Sequence, residues 1–340
     1  MFLYLIKKSL QLNKEGGKII ITDNETKVIR KIPFNTIEGV VIFWRIQLTT
    51  DVITSFLKSQ IPVFFLSTSG NYFWKLDSLE LKNVELLYKH IEASTNIYTS
   101  LQYARTIIAA KVGNATTMLR RWARFDFFHQ KDLQRFWKII EELREYKNKI
   151  EKSKTKYELR WYEWNASKIY FEAFGLFLPH DFSFTKRTRR PPLDEINAMM
   201  SLGYTFLAQT IQMVVNIQWI EAQLWFFHKP KDLRTLLVLD LMEMYRSWIV
   251  DDMIIRILAR WVIQTNHFFI NTSDEKRPVL FTQEWLHIFI GEYYKTVFSK
   301  ADEENFWNYK KLTMIEKDIE SLKQSIIKNS PESYEGFKIK

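Results

Sequence analysis

The chain has 340 residues, with 49 Lys+Arg against 39 Asp+Glu and therefore a formal charge of +10 at pH 7. Its 46% hydrophobic and 26% charged content is close to the globular average, which excludes a largely disordered or collagen-like chain. The absence of cysteine excludes a disulfide framework, a thiolate metal site and a cysteine nucleophile. The positive balance favours an acidic partner, with nucleic acid first and an anionic membrane surface second.

The first 80 residues predict a small β domain. Short β-branched or aromatic runs occur at 19–22, 28–32, 40–44 and 63–66, with turn-forming residues such as Asp23-Asn24 between them and Gly16-Gly17 before the first. Residues 51–59 have helical spacing instead. We therefore expect strands with one inserted helix over residues 1–80 and a linker at 81–93.

The rest of the chain predicts helices. Apolar residues recur at three- and four-residue spacing in the segments 94–125, 131–152, 156–175, 192–218, 235–264 and 281–299. Residues 301–340 are expected to form a charged tail with a surface helix that ends before Pro331. The expected fold class is α+β, with the small N-terminal β domain followed by a larger all-α domain over residues 94–300.

The chain has no uninterrupted apolar run near the roughly 18–20 residues that a membrane helix needs. Its N-terminus, MFLYLIKK, has apolar residues before the lysines, the reverse order of a secretory signal. We expect a cytoplasmic protein that does not bind a membrane.

Two acids lie in a segment that should be buried. Residues 236–242 read LLVLDLM and Glu243 follows, so leucines, valine and methionine surround Asp240. A carboxylate in such a place costs several kcal/mol unless a proton or cation compensates it. Asp240 and Glu243 share one helix face at i, i+3, so a divalent cation is one remedy for their repulsion. Ion pairs with Arg246 or Arg234 are the other.

Two further residues are candidate ligands. Small or polar residues stack on Glu163 in the predicted helix 156–175, which leaves space beside its carboxylate. His228 follows an apolar run, Leu-Trp-Phe-Phe, and precedes a polar loop. Alternatively, Glu163 is a surface acid paired with Lys168 or Arg160, and His228 is a buried structural imidazole.

A cluster of cations precedes Pro191-Pro192 and consists of Lys186, Arg187, Arg189 and Arg190. The prolines block helix continuation, so these side chains are expected on an ordered loop. Clustered Arg and Lys favour phosphate backbones, although a solvated loop is the alternative. Arg120 and Arg121 on an earlier helix form a second basic patch.

Several separated motifs resemble one known family. They are residues 186–197 (KRTRRPPLDEIN) continuing to 204, residues 237–246 (LVLDLMEMYR) with Asp251, and residues 104–121 with Lys111 and Asn114. Gly39 and Gly70 also lie where this family has glycines in its β domain. The chain is therefore similar, over residues 1 to about 300, to the CRISPR adaptation integrase, the CRISPR-associated endonuclease "Cas-one".

The resemblance implies a two-domain fold with a metal site in the helical domain. By position, Glu163, His228 and Glu243 match the ligands and Asp240 matches an additional acidic residue of the catalytic site. This mixed oxygen and nitrogen set suits Mn²⁺ or Mg²⁺. Two departures occur, because Trp164 and the bulky run before His228 replace small residues of the family.

The implied activity is insertion of captured DNA fragments into a CRISPR array, by attack of a 3′-hydroxyl on repeat phosphodiesters. With water as nucleophile the same site is a DNA endonuclease. The cations expected to hold phosphates of double-stranded DNA are Lys186, Arg187, Arg189, Arg190, Arg234, Arg120 and Arg121. The implied partners are a second copy of the chain, joined through the β domains, and the small protein "Cas-two" in a heterohexamer.

Three other functions stay open. A stand-alone transposon-type integrase would share the site but act on terminal inverted repeats. A non-catalytic DNA-binding scaffold would use the acids only in ion pairs. A general metal-dependent nuclease would cleave DNA without joining it.

Overall fold

The computed structural model describes residues 2–5, 9–37, 39–42, 46–66, 72–76, 83–124, 133–179, 181–182, 184–189, 191–228, 235–270, 279–298 and 311–339. The chain divides into two compact units, residues 1–83 and 84–340. The predicted fold class is confirmed, because a small N-terminal β region with one inserted helix precedes a mostly helical region.

The first unit contains two four-stranded sheets, ordered β1-β5-β7-β8 and β4-β3-β2-β6. In the first sheet β1, β5 and β7 are parallel and β8 is antiparallel to β7, whereas in the second only β6 runs parallel to its neighbour β2. The elements are β1 Phe2–Leu5, β2 Leu10–Glu15, β3 Lys18–Asp23, β4 Ile29–Pro33, β5 Gly39–Ile42, β6 Gln47–Leu48, α1 Thr50–Lys58, β7 Val63–Leu66 and β8 Tyr72–Leu76.

The core of this unit follows from the period of its strands. Ile19 and Ile21 of β3 are buried, while Ile20 between them points to the other face, as alternation in a strand requires. Phe56 of the inserted helix α1 is buried against the same cluster. Gly16 opens the two-residue turn between β2 and β3 with φ +59°, a left-handed conformation that favours glycine.

The second unit contains the described helices α2 Val84–Thr95, α3 Ile97–Trp122, α4 Leu133–Glu151, α5 Lys156–Gly175, α6 Glu195–Ile217, α7 Leu236–Met242, α8 Asp252–Ala259, α9 Gln283–Phe298 and α10 Lys311–Ile327. A short antiparallel pair, β9 Phe268–Ile270 and β10 Val279–Phe281, separates α8 from α9.

Two segments differ from the sequence expectation. Most of the expected linker at 81–93 is helix α2, because Leu86 and His90 lie one turn apart on a buried face. The expected charged tail contains α10, whose residues Leu312, Ile315 and Ile319 are buried at helical spacing. Helices α2 and α10 both belong to the second unit.

The predicted helix 235–264 is interrupted. Helix α7 ends at Met242, and a π-helical turn, Ser247–Asp251, precedes α8. A Cβ on Gly203 of α6 would lie only 2.5 Å from Val250 Cγ1, so glycine at this position lets the π turn approach α6. Such turns are frequent at functional sites.

Helix α6 is long and apolar enough, by length and composition, to cross a membrane. However, 67% of the qualifying window is buried inside the fold, which is also typical of a core helix.

Candidate metal centre and nucleic-acid interface

Glu163 lies on α5, at the border of its buried face. The helix begins after Thr155, whose hydroxyl oxygen accepts a hydrogen bond from the Glu158 amide at 3.2 Å. The Glu163 carboxylate is 20% exposed, accepts from Ser167 Oγ at 2.9 Å and forms an ion pair with Lys111 of α3. Its partner is thus Lys111, and not the Lys168 or Arg160 considered from the sequence.

Glu243 lies directly after α7 and reaches the same lysine. Its side chain is 5% exposed, with Oε2 2.7 Å from Lys111 Nζ and Oε1 3.0 Å from Arg246 Nη1. Burial raises the pKa of Glu243, but Arg246, Lys111 and His228 outweigh it and lower the pKa to about 2. Glu243 is therefore ionised at neutral pH, and it shares one cation with Glu163.

Asp240 has a different set of partners from Glu243. Its fully buried carboxylate accepts hydrogen bonds from the backbone amides of Phe226 at 2.7 Å, Phe227 at 2.9 Å and His228 at 3.0 Å. A carboxylate that accepts several backbone N–H bonds is stabilised in its charged form. The loop therefore compensates the buried charge of Asp240, and a shared cation is not required for it.

His228 is oriented by this same carboxylate. Its Nδ1 lies 2.5 Å from Asp240 Oδ1, which commits that nitrogen and leaves Nε2 as the one able to bind a metal. The imidazole is 31% exposed, and Arg160 Nη2 holds the preceding carbonyl, that of Phe227, at 2.9 Å. Asp240 is thus placed as a positioning residue for His228.

The structure gathers these four residues as two pairs. Glu163 and Glu243 converge on Lys111, while His228 is joined to Asp240 and is close enough to Glu243 to lower its pKa. Within the part of the chain that the structure describes, no three His, Asp or Glu side chains are grouped tightly enough to hold an ion.

The chemistry of these side chains nevertheless fits a divalent cation. The buried Oε2 of Glu243 makes no well-aligned hydrogen bond, and the carboxylates of two helical segments already meet at a positive charge. Carboxylate oxygens and an imidazole nitrogen suit Mg²⁺ or Mn²⁺. A lone lysine within the apolar run 107–112 of α3 was the sequence signal for Lys111, whose role the sequence reasoning missed.

A second polar network lies beside the acids. Asp251 is fully buried and accepts hydrogen bonds from the hydroxyls of Tyr170 and Tyr204, each at 2.6 Å. Burial raises the pKa of Asp251 to about 6. The guanidinium groups of Arg246 and Arg187 lie 4.8 and 5.4 Å from the centroid of the Tyr204 ring. The sequence motifs contained Asp251 and Tyr204, but nothing in them indicated that these residues meet or that Tyr170 joins them.

The predicted basic loop divides into two kinds of residue. Arg187 is committed internally, because its guanidinium donates to Asn197 Oδ1 at 2.8 Å and Ser201 Oγ at 3.1 Å. Lys186 and Arg189 are exposed, and Arg189 lines a cavity together with Lys111. Only Lys186 and Arg189 are therefore available to phosphates among the described residues of this loop.

The other predicted DNA contacts lie elsewhere. Arg190 and Arg234 fall outside the described residues. Arg120 and Arg121 occupy the last turn of α3 and are half-buried. They lie about 14–15 Å along the helix axis from Lys111, at 1.5 Å per residue, so they form a separate surface.

A sequence profile of the family described as CRISPR associated protein Cas1 matches residues 3–295. The chain belongs to the Cas1 family. A Cas1 relative named CRISPR-associated endonuclease Cas1, from Mycobacterium tuberculosis, is 27% identical over 274 residues, which cover 80% of this chain and 78% of the relative.

Two solved structures share the Cas1 fold. A chain of a partial Cas6-RT-Cas1–Cas2 complex has a TM-score of 0.79 at 20% identity and covers 100% of this chain and 99% of its own length. A casposase bound to integration product has a TM-score of 0.72 at 18% identity, with 96% of this chain and 91% of the casposase covered. At these identities the likeness shows the fold alone.

Proposed function

We propose that this protein is a CRISPR adaptation integrase in which Glu163, His228 and Glu243 bind Mn²⁺ or Mg²⁺. The observation that carries the proposal is the convergence of Glu163 and Glu243, from separate helical segments, on one positive charge. The imidazole of His228, oriented by Asp240, is one of the groups that lower the pKa of Glu243. Membership in a family whose named relatives are endonucleases supports DNA phosphodiesters as the substrate.

Each of these side chains has a role in the proposed reaction. Asp240 accepts a hydrogen bond from His228 Nδ1. This bond fixes the orientation of the imidazole and leaves the lone pair of Nε2 free to bind a metal. Lys111 neutralises Glu163 and Glu243 until a divalent cation competes for the same carboxylates. When bound, that cation lowers the pKa of an attacking 3′-hydroxyl or water and stabilises charge on the phosphoryl oxygens.

The proposed substrates are double-stranded DNA fragments and the CRISPR repeat. Arg189 holds a phosphate near the acids, and Lys186, Arg190 and Arg234 are further proposed phosphate contacts. Arg120 and Arg121 contact DNA at the separate surface. Attack by a fragment's 3′-hydroxyl gives strand transfer, and attack by water gives endonuclease cleavage. Reaction on an intracellular DNA array places the protein in the cytoplasm.

The proposed assembly contains other chains. The first unit joins two copies in a homodimer, and two dimers bind a dimer of the small protein Cas2. The likeness to a chain of the partial Cas6-RT-Cas1–Cas2 complex supports this partner.

Strand transfer into a plasmid tests the function. Labelled DNA fragments with free 3′-hydroxyls are incubated with a repeat-containing plasmid in Mn²⁺ or Mg²⁺. We expect Glu163→Ala and His228→Ala to abolish branched products, while Glu172→Ala, an exposed acid on the same helix, retains them. Undiminished strand transfer by His228→Ala would refute the proposed site.

The Lys111 ion pairs favour one second candidate, a non-catalytic DNA-binding scaffold. In that protein Glu163→Ala would leave any strand transfer in the assay unchanged, and Mn²⁺ would not raise the melting temperature. The likeness to a casposase favours a stand-alone integrase as the other candidate. A preference for DNA with terminal inverted repeats over the CRISPR repeat would identify a stand-alone integrase. Cleavage without branched products would indicate a general nuclease.

A further inference from the structure

Residues 331–339, which we call the strap, lie beyond the matched residues 3–295 and were expected only as part of a charged tail. The strap follows α10 and is anchored by buried side chains, among them Tyr334 at 2% and Phe337 at 7% exposure. Two large aromatic side chains are thus buried in a segment with little regular secondary structure. Their partners lie close to the proposed metal centre.

The side chain of Asn114 joins the strap to that centre. Asn114 Nδ2 donates to the carbonyl oxygens of Met244 and Phe337, both at 2.9 Å, and its Oδ1 accepts from the Ile339 amide at 2.9 Å. It is 2% exposed, so both N–H donors and the acceptor are used in a buried place. Asn114 lies one turn after Lys111 on α3, and Met244 directly follows Glu243.

Aromatic contacts fix the same segment from the strap side. The Phe337 ring lies 5.1 Å from that of Tyr245 and 4.6 Å from that of Trp248, measured between centroids. The Tyr334 hydroxyl donates to Asp318 Oδ2 at 3.2 Å, and the Tyr245 hydroxyl donates to the same oxygen. Residues 244, 245 and 248 therefore contact the strap or share its anchor on α10.

The strap contacts residues 244, 245 and 248 in the segment where the helix after α7 is irregular. Between the end of α7 at Met242 and the π turn beginning at Ser247, regular helical bonding is interrupted. The backbone that carries Glu243 and Arg246 is therefore not fixed by a continuous helix. A side-chain amide satisfies the Met244 carbonyl instead.

Gly336 marks the tightest point of the contact. Its φ is +68°, and a Cβ there would lie 3.2 Å from Thr106 Cγ2, 3.3 Å from Ala110 Cβ and 3.4 Å from Met244 Sδ. The strap thus passes so close to α3 and Met244 that even a Cβ at this position would make unusually tight contacts.

We propose that the strap is a positioning element of the acidic site, which it completes by holding Glu243 between Lys111 and Arg246. Asn114 is the positioning residue through which it acts. The expected effect on Mn²⁺ binding rests on the proposed function, in which Glu243 is a metal ligand. The structural part, control of the 243–251 backbone by the strap, stands independently of it.

The test removes the strap and returns it as a separate peptide. A chain ending at residue 330 and the full chain with Phe337→Ala are compared with wild type by amide hydrogen exchange over residues 243–251 and by Mn²⁺ affinity. We expect at least tenfold faster exchange and at least tenfold weaker Mn²⁺ binding in both. A synthetic peptide of residues 329–340 should restore both properties to the truncated chain, whereas the same peptide with Gly336→Val should not.

Lys338→Ala is the matched control, because the Lys338 side chain is 62% exposed and pairs with the solvent-facing Glu335 at 3.1 Å. If the truncated chain does not fold, Phe337→Ala and Gly336→Val in the full chain carry the test. Unchanged exchange at 243–251 in the variants would overturn the inference. Accelerated exchange with no Mn²⁺ binding by wild type would instead refute the metal site and leave the positioning role in place.

Discussion

Replacing Lys111 with methionine tests the arrangement of the acids most directly. The substitution keeps most of the aliphatic length but leaves Glu163 and the 5% exposed Glu243 facing each other without the ammonium. Removing one partner of a buried ion pair costs about 3–5 kcal/mol. Glu163 is 20% exposed and Glu243 keeps Arg246, so we expect about 3 kcal/mol, the lower end of that range.

Melting temperatures measure this loss. At roughly 2–4 °C per kcal/mol, the variant should melt about 6–12 °C below wild type in the presence of EDTA. Mn²⁺ should then stabilise the variant more than wild type, because no ammonium competes for the carboxylates. A ligand at 100 times its Kd contributes about 2.7 kcal/mol, so most of the loss should be recovered.

Lys147→Met is the control, because Lys147 pairs with Glu151 at 3.6 Å on an exposed surface. It should change the free energy of unfolding by less than about 0.5 kcal/mol. Equal melting temperatures of Lys111→Met and wild type in EDTA, or a smaller Mn²⁺ effect in the variant, would refute the reasoning.

The remaining predictions concern four other positions. Asp240→Asn should weaken Mn²⁺ affinity about 10–100-fold in calorimetry, because His228 loses its charged partner; unaltered affinity would contradict this. Arg189→Ala should make the slope of log K for DNA binding against log salt concentration shallower by about one, without changing the melting temperature of the protein. By contrast, Arg187→Ala should cost about 1–3 kcal/mol in urea unfolding, since its buried partners lose their donor, and a stable variant would exclude that role. Burial raises the pKa of Asp318 to about 6, above its ordinary value of 3.8, so its contribution to stability is complete below pH 3.8 and is lost as the pH rises through 6. The free energy of unfolding in urea should therefore depend less on pH, between pH 4 and 6.5, in Asp318→Asn than in wild type. An identical pH dependence in the two proteins would disprove this.

Local patterns were sufficient for the first unit. Ile19 and Ile21 alternate with a residue of the opposite face, and Gly16-Gly17 allows a two-residue turn, so strand, turn and burial follow from neighbours in the chain. The interruption after Met242 was missed because residues 235–264 keep helical periodicity, while the π turn depends on its approach to Gly203 of another helix.

The sequence by itself determined that the β region precedes the helices and that Asp240 and Glu243 needed compensation, because apolar neighbours set the cost of burying a charge. Tertiary structure alone decided what compensates them. Asp240 turns to the loop before His228, whereas Glu243 meets Lys111 and Arg246. The spacing i, i+3 defines a helix face but not the partners that packing brings to it, and these partners come from α3 and a distant loop.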